Sequence, residues 1–260
     1  MRNIEKISVV IPVHNEEKYL PYCITGLVQS PIYEVIFVLD RCSDRSLKII
    51  ENVDFPFRVR VIEIKKKQWK GPTAEPIAIG CREANGDVIY GVGSDMYVDP
   101  RIFMVGWEGM DVCSFNLNDY SLYGNMRSML MAKVREWVIV NYEKMRSRTV
   151  HRRFATGVYG FRKSIYQDFR HIDCDAEDSY FLSTCMQKGY RYRYFAWSKC
   201  LHLRPMNPRS LKFRAQIAVN EYHVNLPKAT FYALKYLSSI YLREYLTMRA
   251  TRRALVRAME

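Results

Sequence analysis

Long apolar runs are missing from this chain. No stretch approaches the ~18 uncharged apolar residues of a membrane-crossing helix, so no single helix is expected to span a bilayer. The first apolar run, from Ile7, stops at Pro12 and is too short for a secretory leader, so the chain is expected to be cytoplasmic. Paired cysteines are missing as well. Cys23, Cys42, Cys81, Cys113, Cys174, Cys185 and Cys200 are scattered, and none forms C-x-x-C. That pattern argues against a zinc site or disulfide framework and for reduced thiols in a core. Acidic residues are scarce, with 27 Asp and Glu against 40 Lys and Arg, a net charge of +13. The excess favours polyanions, phosphorylated ligands or anionic headgroups as partners. No zinc knuckle, RNP-type aromatic motif or P-loop accompanies the charge, so nucleic acid is not the expected partner.

What is present is ample core. A chain of 260 residues, 48% hydrophobic, can bury one large domain or a domain with an appendage. Its first ninety residues alternate β-branched runs with amphipathic segments. "ISVVIPV" (7–13) and "YEVIFVLD" (33–40) read as buried strands. "FRVRVIEI" (57–64) alternates, so one of its faces is wet, and Asp87 to Val92 forms a fourth strand. Helical patterns lie between them, and Pro21 places the first helix start near Tyr19. Repetition of this kind predicts right-handed crossovers and a mostly parallel sheet covered on both faces, with ligands at the strand ends near Pro12, Asp40 and Asp95. Further on, "DVCSF" and "ATGVYGF" read as strands, Asn125 to Tyr142 as a long helix, and "DAEDSYFLSTCMQKGYRYRYF" as a helix ended by Gly189 and followed by a strand.

Four features carry chemistry: "PVHNE" (12–16), "LDRCSD" (39–44), "GSD" (93–95) and Glu177-Asp178. Their order and spacing resemble the inverting nucleotide-sugar glycosyltransferases of family 2. The resemblance covers roughly residues 6 to 200. "PVHNE" is similar to that family's P-x-x-N-E, and "VLDRCSD" to V-D-D-G-S-x-D, with Leu39 in place of the first Asp. "KGPTAEPIAIGCREANGDVIYGVGSD" resembles the stretch that ends in Asp-x-Asp, with Gly93 in place of its first acid, and "EDSYFLSTCMQKGYRY" resembles the family's base-bearing helix. The resemblance implies a GT-A type, Rossmann-like α/β fold, with a catalytic domain over residues 1–205 and a basic helical extension over 206–260. It also implies transfer of one sugar from a UDP- or GDP-sugar, with inversion and with Mg²⁺ or Mn²⁺, since the processive Q-x-x-R-W motif is absent after Asp178.

Roles follow by residue. Asp40 accepts a hydrogen bond from the nucleotide base, or else caps the next helix together with Asp44. Pro12, His14 and Glu16 flank base and ribose, His14 by stacking, and Ser94 lines the donor site. Asp95 meets the metal. Asp99 either supplements it or makes an ordinary turn before Pro100, and His202 is either a further ligand or a structural histidine. Lys70, with Arg82, compensates for the loss of polar residues at Pro76, Ile77 and Ala78. Asp178 is the general base, Glu177 either joins it at the acceptor pocket or serves only the helix dipole, and Thr156 and Gly157 line that pocket. Beyond Leu201 eleven Lys and Arg face three Glu. From Phe231 to Met248 apolar residues recur at helical spacing between basic ones, a pattern for peripheral membrane contact, for packing on the domain or for a homodimer. The membrane alternative would bring a lipid acceptor, in place of a glycan, to the cytoplasmic face. Two other readings are a sugar nucleotidyltransferase, disfavoured because "PVHNEEKYL" has no glycine, and a non-catalytic basic nucleotide-binding module.

Overall fold

The computed structural model describes residues 5–119, 157–173 and 177–204. Thr156, the 125–142 helix and the extension over 206–260 lie outside the described residues. The chain divides into two compact units, residues 1–117 with 154–201 and residues 118–153 with 202–260. Nearly all described residues belong to the first.

That unit is built on a mixed, mostly parallel α/β sheet. Its strands are β1 (Ile7–Val13), β2 (Glu34–Asp40), β3 (Arg58–Ile64), β4 (Val88–Val92), β5 (Met96–Tyr97), β6 (Val112–Asp119), β7 (Val158–Arg162) and β8 (Tyr192–His202). They are ordered β3-β2-β1-β4-β7-β6-β8-β5. The helices are α1 (Leu20–Val28), α2 (Ser46–Glu51), α3 (Ala74–Glu83), α4 (Ile165–Asp168) and α5 (Glu177–Gln187), with a 3₁₀ turn over Pro100–Met104. The first four strands are parallel, with Val10 opposite Ile36 and Ile36 opposite Arg60. β7 then joins β4 antiparallel, Tyr90 opposite Gly160, and β6 joins β7 the same way. The run of parallel strands was legible because each is a continuous β-branched run between helices. The change of direction at β7 was not, because a strand's own residues do not fix whether it joins its neighbour parallel or antiparallel.

β1, β2 and β4 are buried on both faces, which is why their sequences do not alternate. Val9, Ile11, Phe37 and Tyr90 pack beneath α1, α2 and the 3₁₀ turn, whereas Val10, Ile36, Val38 and Phe161 pack beneath α3 and α5. Each such side chain contributes about 1.5–3 kcal/mol of transfer free energy. β3 is the outermost strand on its side and the least buried of the parallel strands, with Arg58, Val61 and Glu63 exposed and Ile64 buried. Arg58 and Val61 lie on opposite faces, so the single wet face expected from its sequence does not form, because an end strand is open to solvent on both faces. α1 begins at Leu20 with Pro21 in its first turn, where a missing N–H costs nothing. Gly80 lets α3 sit close on β1, since a Cβ there would lie 2.2 Å from Val10 Cγ1.

Candidate functional site

The loops leaving β1 and β2 are stitched together. Asn15 Oδ1 accepts from the Ser43 N–H at 2.8 Å, the Glu16 N–H donates to Ser46 Oγ at 2.9 Å, and the Glu17 N–H donates to Asp44 Oδ2 at 2.9 Å. Asp44 Oδ1 accepts from the Ser46 N–H at 3.0 Å, so Asp44 organises the entry to α2, one of the two roles open for it. Among the described residues, the non-glycine positions with left-handed backbone are Asn15 (φ 55°) and Arg41 (φ 49°). Both sit just past a strand end. A left-handed residue costs about 1–2 kcal/mol, least for Asn, and such strain collects where a site over-determines its backbone.

Asp40 ends β2 and is 2% exposed. Its Oδ1 accepts from Arg41 Nε at 2.7 Å and its Oδ2 from Arg41 Nη2 at 3.1 Å, with Lys67 Nζ 3.5 Å from Oδ2. Burial works to raise its proton affinity, but the guanidinium hydrogen bonds and the Lys67 charge outweigh burial and hold the carboxyl below its ordinary range. It is therefore a fixed anion with each oxygen already holding one partner. His14 is exposed, with Nδ1 2.6 Å from the Asp40 main-chain oxygen. Pro12 lies inside β1 opposite Val38, and Glu16 is buried.

The third strand end brings "GVGSDMYVDP". Ser94 is buried and Asp95 half-buried. Burial raises the Cys23 thiol's proton affinity, and the charges of Asp95 and Glu16 raise it further. The motifs at the ends of β1 and β4 are thus neighbours around Cys23. A Cβ on Gly93 would lie 2.7 Å from Met96 Cε and 3.1 Å from Asp95 Oδ1. The position that holds an acid in Asp-x-Asp is here taken up by the end of the Met96 side chain. Asp99 accepts from the Arg101 main-chain N–H at 3.1 Å and from its guanidinium at 2.9 and 2.6 Å, which gives it the turn role.

A chain of hydrogen bonds links this strand end to α5. The Gly93 N–H donates to Gly157 O at 3.1 Å, and the Gly157 N–H donates to Asp178 Oδ2 at 2.8 Å. Gly157 has φ 95°, which side-chain-bearing residues rarely adopt. One backbone turn thus joins the Asp95 motif to Asp178. Glu177 is 7% exposed, and its Oε1 accepts from Thr73 Oγ1 at 2.5 Å. Burial first, then the neighbouring Asp178 charge, push its carboxyl well above the ordinary range. It faces the loop before α3. Lys70 differs from expectation in how it acts: its side chain is exposed, and its main-chain N–H donates to Asp173 Oδ2 at 3.0 Å. Lys67 is the lysine that reaches Asp40. Sequence reasoning missed Lys67, Thr73 and Asp173, although the "KKKQWKGPT" stretch marks a basic loop. His202 closes β8, is buried, and belongs to the second unit.

Residues 8–170, well over half of the chain, match the family described as Glycosyl transferase family 2. The chain belongs to this family. It is 34% identical over 118 residues to an undecaprenyl-phosphate 4-deoxy-4-formamido-L-arabinose transferase of Proteus mirabilis, a match covering 42% of this chain and 36% of that one. The chain thus spans about a third of the length of that relative. The mannosyltransferase PcManGT of Pyrobaculum calidifontis, solved with GDP-Man and Mn²⁺, superposes with a TM-score of 0.60 at 14% identity, over 100% of this chain and 77% of that one. Residues 1–349 of Staphylococcus aureus TarS, solved with UDP, superpose with a TM-score of 0.58 at 18% identity, over 79% and 62%. At such identities the likeness establishes a shared GT-A fold. Among the described residues, no group of three or more His, Cys, Asp and Glu forms a ready cation cage, and no helix is long and apolar enough to cross a membrane.

Proposed function

We propose that this family 2 chain transfers a single sugar, with inversion, from a UDP- or GDP-sugar to an acceptor hydroxyl or phosphate, with Asp178 as general base. The observation that carries the reading is the hydrogen-bonded path Gly93–Gly157–Asp178. It ties the segment bearing Asp95 to the carboxylate that follows it by more than eighty residues. The divalent cation suits a sparse protein donor set: hard cations on nucleotide diphosphates take phosphate oxygens and water beside one or two carboxylates. Asp95, half-buried at a parallel strand end, would hold it, and the cation when bound offsets the charge of the departing diphosphate.

The chain's own residues do the rest. Asp40 stays ionised and is held by Lys67, and it accepts a base N–H in place of the half-exposed Arg41 guanidinium, which turns outward. His14 offers an exposed ring beside it for stacking. Asp178 Oδ2 is oriented by the Gly157 N–H, which stabilises the anion, and the carboxylate takes the acceptor's proton as its oxygen attacks the anomeric carbon. Among the relatives, TarS is solved with UDP, PcManGT with GDP-Man and Mn²⁺, and the Proteus mirabilis transferase is named for undecaprenyl phosphate, which supports a nucleoside-diphosphate donor and a lipid phosphate as one acceptor class. The test is calorimetric titration of UDP- and GDP-sugars with and without Mn²⁺. One nucleotide should bind in a metal-dependent way, and Asp95→Ala should lose the metal dependence. Full metal-dependent binding by Asp95→Ala would remove the assignment.

A further inference from the structure

The connection from β3 to α3, residues 65–73, carries Lys67 to Asp40 and is held chiefly by carboxylates from elsewhere. Glu75 Oε2 accepts the N–H groups of Gln68 and Trp69 at 2.7 and 2.9 Å. Asp173 accepts those of Lys70 and Gly71 at 3.0 and 2.7 Å. Lys67 Nζ also donates to Pro72 O at 2.8 Å, so the lysine is fixed by the turn it belongs to. At the end of the loop Thr73 donates to Glu177, the neighbour of Asp178, at 2.5 Å. These anchors differ in strength. Asp173 is exposed and its bonds compete with water, whereas Glu75 and Glu177 are buried and the loss of a partner there is costly.

We propose that Thr73 and Glu177 form a latch that positions Lys67 on Asp40, so that the segment bearing the base sets the affinity of the donor-nucleotide site. Both are positioning residues. The inference rests on the donor-site reading above. If Thr73 lets go, the loop keeps Glu75 at Gln68 and Trp69 but loses its buried anchor on α5, Lys67 is held less firmly on Asp40, and the nucleotide meets a carboxylate that must be reordered on binding.

Calorimetry with UDP and GDP in Mn²⁺, on the native chain and on Thr73→Val, Thr73→Ser, Lys67→Met and the Thr73→Val/Lys67→Met double variant, tests this. Thr73→Val should weaken nucleotide binding about tenfold, the loss expected of one buried hydrogen bond. Thr73→Ser should restore it. The double variant should bind no more weakly than Lys67→Met alone, because both changes act through one contact. Amide exchange at Gln68 to Gly71 should quicken in Thr73→Val and not in Thr73→Ser. Native-like affinity in Thr73→Val, or losses that multiply in the double variant, would overturn the latch while leaving the donor site standing. If the native chain binds neither nucleotide, the donor-site reading falls and takes the latch with it.

Discussion

At the scale of single residues, the site is defined by what its side chains are already doing. Asp178 Oδ2 accepts from the Gly157 N–H, and an amide of the same shape keeps that acceptor, so removing the charge should leave the structure intact and stop proton transfer. Asp178→Asn is expected to lower turnover by about 10²–10⁴-fold, the usual worth of a general base, with nucleotide affinity unchanged by calorimetry. Equal turnover would remove the base assignment. Gly93 carries a different lesson. Restoring an acid there puts a Cβ against Met96 Cε, and overpacking of this kind costs about 1–3 kcal/mol. Gly93→Asp should therefore lower the thermal midpoint. Adding Met96→Ala to that variant should recover part of the loss, because it removes the methyl group in the way. A midpoint unaffected by Gly93→Asp would show that Met96 moves aside freely.

At the scale of elements, two glycines should respond in opposite ways. Gly80 is clamped between α3 and β1, where a methyl group meets Val10 Cγ1 at 2.2 Å, whereas nothing lies within 4 Å of a Cβ on Gly106. Gly80→Ala is expected to destabilise by about 1–3 kcal/mol through overpacking. Gly106→Ala should be neutral or stabilising by up to about 1 kcal/mol, through the entropy of the unfolded chain. Urea titration of both variants decides it, and a tolerated Gly80→Ala would mean that α3 does not rest on β1 as closely as described. α5 packs through Phe181, which stacks on His171 with centroids 4.4 Å apart. His171 in turn meets the Tyr159 hydroxyl at 2.8 Å. The element that carries Asp178 is thus seated on an aromatic cluster under β7.

At the scale of the whole molecule, that cluster sets a response to acid. Burial pushes His171 down to about 3, against 6.5 in an unfolded chain. Between those values the unfolded state binds the proton and the folded state does not, so stability falls as pH drops below about 6.5. The carboxylates act later in the same direction. Glu34 is held low despite its burial by Ser8 and Asn85 hydrogen bonds and the Arg60 charge, and Asp111 by the Arg191 hydrogen bonds. Their contributions are present above the unfolded carboxylate range and are lost as pH falls through their folded values. Glu177, whose carboxyl is raised to about 7, takes up its proton in the same window and opposes the histidine, so the decisive quantity is the difference between the native chain and His171→Gln. Urea midpoints measured from about pH 7 to 4 should fall more steeply, or rise less, for the native chain than for His171→Gln, and identical pH profiles from about pH 6.5 to 5 would contradict the buried neutral histidine.

Much of this protein was legible in the chain itself. Continuous β-branched runs determined the parallel strands, and Pro21 placed the start of α1, because each depends on local sterics and on which faces are buried. The order of "PVHNE", Asp40, Asp95 and Asp178 carried the resemblance to the family that the match over residues 8–170 shows. Only the tertiary structure decided what occupies Gly93's missing side chain, which lysine reaches Asp40, and that Glu177 turns to Thr73. Those outcomes depend on distances between residues from 3 to 104 positions apart, Gly93 to Met96 and Thr73 to Glu177, set by packing that no local pattern encodes.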